Sequence, residues 1–183
     1  MISNRFPRCM GSAPHTARGE LFSRLRPVFA DRLLCDDIPD RYAHDASIFS
    51  LRPLAVAQAL DEPEVAAATR ASLATNVPLV ARAGASNTGG AAVTDGVLLT
   101  FGGAGFANVG VDPRTGLAVA GPAVRHDRLQ SALADHGLAL PSDPSSGPLS
   151  FVGGNIATRA SGPHALRDGA INRYLREVRL VLV

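Results

Sequence analysis

The chain has 183 residues, about one domain by length. Its 18 basic and 16 acidic residues leave a net charge of +2, without the concentrated basic excess of a dedicated nucleic-acid binder. All 18 basic residues are Arg, which excludes Schiff-base chemistry on a Lys and a P-loop Lys on a phosphate.

In chain order, residues 1–19 contain Arg but no acid and read as a leader, disordered or transit-like. Residues 20–34 place Leu21, Leu25, Val28 and Phe29 on one helical face, with Pro27 expected to kink or split the helix. Residues 53–58 suit a strand. The spacing predicts a helix over 62–75: Asp61 can cap it, Pro63 falls in its first turn, and Glu64 completes a capping box. Val77 to Arg82 reads as a strand, so 53–82 is a β-α-β unit. Strands are expected at 96–101 and 107–111. The latter pairs with 117–120 through the turn Asp112-Pro113-Arg114-Thr115-Gly116. A helix over 125–136 buries Leu129 and Leu133 and stops at Gly137. A short strand at 138–140 and a strand at 175–183 complete the reading. The chain stops inside that last apolar run, and a cut within the strand is as good a reading as a natural end there. No apolar run reaches the ~20 residues needed to cross a bilayer, and no secretory segment precedes the first helix.

Sixteen of the 18 Gly lie between Gly84 and Gly169, where backbone must turn or approach something closely. The first glycine loop, 83–92, follows a strand. Gly84 and Gly89 give P-loop spacing, but Gly90 and Ala91 replace the Lys and Ser/Thr. The run around Gly102, Gly103 and Gly105 has Asn108 where a dinucleotide fingerprint needs a third Gly. What remains near Ser86, Asn87 and Thr88 is either an anion nest or a plain flexible connection. The second stretch runs from Leu140 to Gly169, and a loop of that length is uncommon without function. A helix starting at Gly153-Gly154 would offer N–H groups to a phosphate.

Taken together, these segments resemble the FAD-binding domain of the vanillyl-alcohol-oxidase/p-cresol-methylhydroxylase type, in the branch of the glycolate oxidase subunit and D-lactate dehydrogenase. The resemblance covers about Tyr42 to Val183. Tyr42 to Ser47 with Arg52 to Val56 is similar to the family's opening segment. Val77-Pro78 through Gly90 is similar to its first pyrophosphate loop. Gly137-Leu138 to Ser146 is similar to GLxxPPDPSS, and Phe151 to Gly169 to TIGGxIAxNASGxxSLRYG. Glu177-Val178 onward is similar to the strand that follows.

The resemblance implies an α+β fold: a first subdomain over about 38–110 and an incomplete second one over 111–183. By domains, 1–37 is leader and helix and 38–183 is the FAD-binding PCMH-type domain, incomplete at its C-terminus. It implies FAD, held by Ala83, Gly84, Ala85, Ser86 and Asn87; by Pro141, Asp143, Ser145 and Ser146; and by Gly153, Gly154, Asn155, Ala157, Ala160 and Gly162. The first loop has no His for covalent attachment, so non-covalent binding is implied. A second chain or a further C-terminal region would carry the substrate domain, because no catalytic group is assigned here. A cytoplasmic location, with or without peripheral membrane contact, is expected.

The chain departs from the family pattern at Ala83 and Ala85 (glycines), Phe151 (Thr or Ser), Arg159 (Asn) and Asp168 (Tyr). Arg159 is expected to offset the Asp168 charge. Two function classes stay open: the FAD-binding part of an oxidoreductase acting on a 2-hydroxy acid, and a remnant or interaction module that no longer binds FAD. His15, His44, His126, His136 and His164 have no metal-ligand spacing; His126 and His136 read as surface residues. Cys9 and Cys35 read as free thiols. Arg173, Arg176 and Arg179 read as a solvated edge.

Overall fold

A computed structural model describes residues 15–182. The first helix starts earlier than its apolar pattern suggests, as α1 (His15–Phe29). It takes in residues 15–19 of the stretch read as a leader; the remainder, with Cys9, lies outside the described residues. Leu21, Leu25 and Phe29 are fully buried on one face of α1. Pro27 neither splits nor ends the helix, which runs two residues beyond it and then tightens into a 3-10 turn over Ala30–Arg32. The proline removes one helical hydrogen bond and crowds the Ser23 carbonyl a turn before it, and burial of Leu21, Leu25 and Phe29 on both sides keeps the helix continuous. Arg32 fixes this end of α1. Its two terminal nitrogens each donate to the Glu64 carboxylate at 2.6 Å, and one also donates to the Gln58 carbonyl. The forked geometry suits a carboxylate, and Arg32 holds the Glu64 carboxyl below the usual carboxylate range.

The main sheet contains β1 (Leu33–Leu34), β2 (Ala55–Ala59), β3 (Leu79–Arg82) and β4 (Val97–Phe101) in the order β1-β2-β4-β3. β2 and β3 both run parallel to β4, and β1 pairs antiparallel with β2. The expected β-α-β unit is therefore present with β4 inserted between its two strands. Its helix, α2 (Glu62–Thr75), matches the predicted span. Asp61 accepts from the Glu64 N–H at 2.9 Å, while the Glu64 carboxylate reaches back to the Leu60 N–H at 2.8 Å. Ala55, Ala57 and Ala59 join Val97, Leu99, the buried side of α1, and Ala68 and Ala71 of α2 in one core. Val56 and Leu98, at the alternate positions, are buried as well. Both faces of these strands are thus covered, as parallel sheets require.

A second layer follows. β5 (Val109–Asp112) and β6 (Leu117–Ala120) form the expected antiparallel hairpin. α3 (His126–Ala134) contributes Leu129 and Leu133, which pack with Val124 and with Val152 of α4 (Val152–Ala157) in a smaller core. A short helix, α5 (Ala165–Asp168), and a 3-10 turn over Ile171–Tyr174 are the last regular elements.

Two expected strands do not form. Residues 138–140 have no strand partner, because Gln130 takes that place: its side-chain oxygen accepts from the Leu140 N–H at 3.0 Å, and its amide donates to the Leu140 carbonyl at 2.7 Å. Residues 175–182 form no regular element and pair with no described strand, and Leu180 and Leu182 stand exposed. Their alternation needs a neighbouring strand, and no described segment supplies one. Arg179 instead pairs with Glu62 at 2.8 Å.

Candidate functional site

The first glycine loop leaves the end of β3 and is anchored from both sides. Arg82, the last residue of β3, donates to the Ala92 carbonyl at 2.8 Å, to the Arg41 carbonyl at 2.7 Å and to the His44 carbonyl at 2.8 Å. Asp45 faces the loop from the preceding segment. Its carboxylate accepts from the Ser47 N–H, the Asn87 amide and the Ala92 N–H, at 2.9, 3.1 and 3.2 Å. Burial opposes ionisation of Asp45, but these hydrogen bonds together hold its carboxyl below the ordinary range. Asn87 also curls the loop, since its side-chain oxygen accepts from the Gly89 and Ala91 N–H groups.

Beyond this anchor lies an open groove of about 610 Å³ bordered by Gly84, Ala85 and Ser86 on one wall and Arg125, Ser146, Leu149 and Phe151 on another. Gly84 lies so close to the second stretch that a Cβ there would collide with the Leu149 carbonyl oxygen and press on the Phe151 ring. The N–H groups of Gly84, Ala85 and Ser86 donate to no acceptor among the described residues. Three free donors, the Ser86 and Ser146 hydroxyls and the Arg125 guanidinium offer the groove contacts for an anion, while the Asp45 carboxylate, which also borders it, is engaged by Ser47, Asn87 and Ala92. The Arg125 charge is shared, since it pairs with Asp127 at 2.7 Å and donates to the Pro148 carbonyl.

The two alanines of the first loop differ in kind. Ala85 sits in the left-handed region at φ +52°, whereas Ala83 is not among the positive-φ residues. Of the two alanines that stand where the family has glycines, only Ala85 is therefore held in the left-handed region. Ala85→Gly should leave stability unchanged or raise it by up to about 1 kcal/mol, because relief of left-handed strain offsets the added unfolded-state entropy. Ala83→Gly adds only the entropy and should lower stability by about 0.4–1 kcal/mol. Urea unfolding of the two variants checks this; equal shifts of the same sign would contradict it.

The remaining residues singled out from the sequence do not all reach the groove. Ala83 lies against Gly154, whose added Cβ would stand 3.6 Å from the Ala83 side chain. Pro141 and Asp143 border a separate depression with His164, Arg167 and Asp168. Gly162 packs onto the Asp143 backbone so tightly that any Cβ would clash with that carbonyl. Gly153 donates to the Pro122 carbonyl at 3.1 Å, and Ala160 donates to the Asn155 carbonyl at 2.7 Å. Ser145 and Ala157 are exposed. Asn155 turns inward and is 4% exposed. The expected Arg159–Asp168 compensation does not occur, because Asp168 pairs with Arg167 at 2.8 Å while Arg159 donates to Asn172.

Sequence reasoning passed over Arg82 and Arg125, and assigned His126 to the surface. His126 is in fact 2% exposed. An Arg ending an otherwise apolar strand just before a glycine loop was the available signal for Arg82.

A model of the FAD binding domain family matches residues 53–183. Among curated proteins, the chain is 34% identical to an uncharacterised FAD-linked oxidoreductase of Mycobacterium tuberculosis over 158 residues, 84% of this chain and 34% of that protein. It is 35% identical to the glycolate oxidase subunit GlcD of Escherichia coli over 73% of this chain and 27% of that protein. It therefore spans about a quarter to a third of the length of these relatives. Among solved structures, alkyldihydroxyacetonephosphate synthase superposes with a TM-score of 0.70 at 22% identity, over 84% of this chain and 32% of its own. p-Cresol methylhydroxylase superposes with a TM-score of 0.68 at 17% identity, over 81% and 31%. These likenesses show the fold, the FAD-binding fold of the p-cresol-methylhydroxylase type.

Proposed function

Because the chain belongs to the FAD-binding domain family, we propose that it is the cofactor-holding part of an oxidoreductase acting on a 2-hydroxy acid of the glycolate or D-lactate type, with FAD bound non-covalently. The similarity to the glycolate oxidase subunit of Escherichia coli and to the D-lactate dehydrogenase of Archaeoglobus fulgidus supports that substrate class. The observation that carries the cofactor assignment is the convergence of Gly84, Ala85 and Ser86 with Ser146 and Arg125 on one groove. There the free N–H groups, the two hydroxyls and the guanidinium would hold the diphosphate. Bound flavin supplies hydride acceptance from the substrate's α-carbon. The domain takes in residues 38–183 on this reading, and the substrate-binding groups come from a further chain or chain region.

Non-covalent binding rests on the first loop, 83–92, which carries no His, Cys or Tyr. His44 borders the groove, but its Nε2 faces the Asp40 carboxylate at 3.3 Å. Acid precipitation of the flavin-loaded chain should release all yellow colour into the supernatant; colour kept in the pellet would mean a covalent link. In fluorescence titrations FAD should be quenched and riboflavin, lacking the diphosphate, should not. Failure of both to bind would favour the remnant that no longer holds a cofactor.

A further inference from the structure

His126 starts α3 beneath the second stretch, and its imidazole is almost completely buried. Its Nδ1 lies 3.4 Å from the Asn155 side-chain nitrogen, which also donates to the Ser150 hydroxyl at 3.2 Å. An amide N–H₂ can only donate, so Nδ1 is the acceptor and the ring proton resides on Nε2. That Nε2 has no hydrogen-bond partner among the described residues. Ser150 carries the connection onward. Its hydroxyl bonds the Gly147 carbonyl at 3.4 Å, its N–H donates to the Ser146 carbonyl at 2.8 Å, and its carbonyl accepts from the His126 N–H at 2.9 Å. The relay from His126 through Asn155 and Ser150 thus ends at Ser146, on the wall of the groove.

We propose that His126 is a positioning residue for the cofactor: its neutral imidazole, acting through Asn155 and Ser150, holds the Ser146 wall of the groove in place, and its protonation releases that wall.

The chemistry is that of mismatched donors. A proton added to Nδ1 would face the Asn155 N–H₂ group, so the 3.4 Å contact becomes donor against donor. Asn155 must then move away, which withdraws its amide from Ser150, or turn over, in which case its oxygen faces Ser150 and draws the hydroxyl proton off the Gly147 carbonyl. The added charge would also be buried with Nε2 unpartnered, which is costly. The charged groups facing the ring are Asp143, from the second stretch, and Asp127, beside it on α3; α4 contributes the neutral Asn155. Burial lowers the imidazole's proton affinity, and the pull of the two carboxylates does not overcome it. The native state therefore binds the proton less readily than the unfolded chain does. The ordered wall is fully favoured above the ordinary His value, about 6.5, and loses support as pH falls below it.

This inference rests on FAD occupying the groove, and the test separates the two ideas. FAD fluorescence titrations of the 183-residue chain are run at several pH values from about 5 to about 7.5, around the ordinary His pKa. The wild-type dissociation constant should rise by about tenfold or more toward the acid end, the change that one pKa unit represents. His126→Asn keeps an acceptor near the Nδ1 position but cannot take up a proton, so its dissociation constant should change by less than about threefold over the range. The other histidines remain in both proteins, so equal pH slopes in wild type and variant overturn the proposal. If neither protein binds FAD at the alkaline end, the cofactor assignment fails, and hydrogen exchange of the cofactor-free chain decides the role of His126. Loss of protection over residues 143–157 on acidification in wild type but not in His126→Asn supports it; the same protection profile in both overturns it.

Discussion

Phe29→Ala is expected to destabilise the chain by about 3–5 kcal/mol, the range for removing a large aromatic from a closed core. Phe29 is completely buried at the end of α1, in the same cluster as Leu33, Ala55, Ala57 and Leu99. The sheet side of that cluster includes Ala55, Ala57 and Ala59, which are too short to fill the space it would leave. The guanidinium of Arg32 also lies 5.8 Å from the ring centre, so the change loosens the residue that ties α1 to Glu64 on α2. Thermal unfolding followed by circular dichroism should show a midpoint lowered by roughly 10 °C, given about 2–4 °C per kcal/mol at this chain length. A loss below about 1 kcal/mol would mean that α1 is not an integral part of the core.

Arg82→Met should have the largest effect on the groove without emptying the core. One guanidinium joins three backbone carbonyls, those of Arg41, His44 and Ala92. It thereby connects the far end of the first loop to the segment that carries Asp45. The ring of Tyr42 lies 5.8 Å from it as well. Hydrogen bonds from a charged donor contribute about 1.5–3 kcal/mol each and are not additive when one group makes them all. Methionine fills the stem's volume but satisfies none of the carbonyls. The loop then has to be ordered when the cofactor binds, and FAD affinity should fall by roughly thirtyfold, equivalent to about 2 kcal/mol. Arg82→Lys should recover only part of this, because a single ammonium cannot reproduce the planar fork. Unchanged FAD affinity in Arg82→Met would show that the anchor does not govern the groove.

The elements that were legible in the sequence are those specified by neighbouring residues. α2 has its start written in Asp61, Pro63 and Glu64, each acting within one helical turn. The β5–β6 hairpin follows from a turn whose Pro and Gly fix the backbone locally. The misread elements depended on a distant partner. Residues 138–140 have a strand's apolar content, yet a glutamine on α3 satisfies their backbone. Residues 175–182 alternate like a strand, but alternation specifies a face and not a neighbour. His126 looked like one of two histidines on an exposed helix. Nothing within α3 reports that the second stretch folds over its first turn.

The sequence by itself determined the order of the segments, the two glycine- and serine-rich stretches, and the family to which they belong, because linked motifs in a fixed order survive without knowledge of contacts. Only the tertiary structure decided which residues of those stretches meet. It placed Gly84, Ala85 and Ser86 opposite Ser146, sent Pro141 and Asp143 to another depression, and turned Asn155 inward to His126. It also inserted β4 between β2 and β3. The physical reason is common to all of these. A backbone motif fixes the local path of the chain, whereas the direction of each side chain and the pairing of each strand are set by packing against residues tens of positions away.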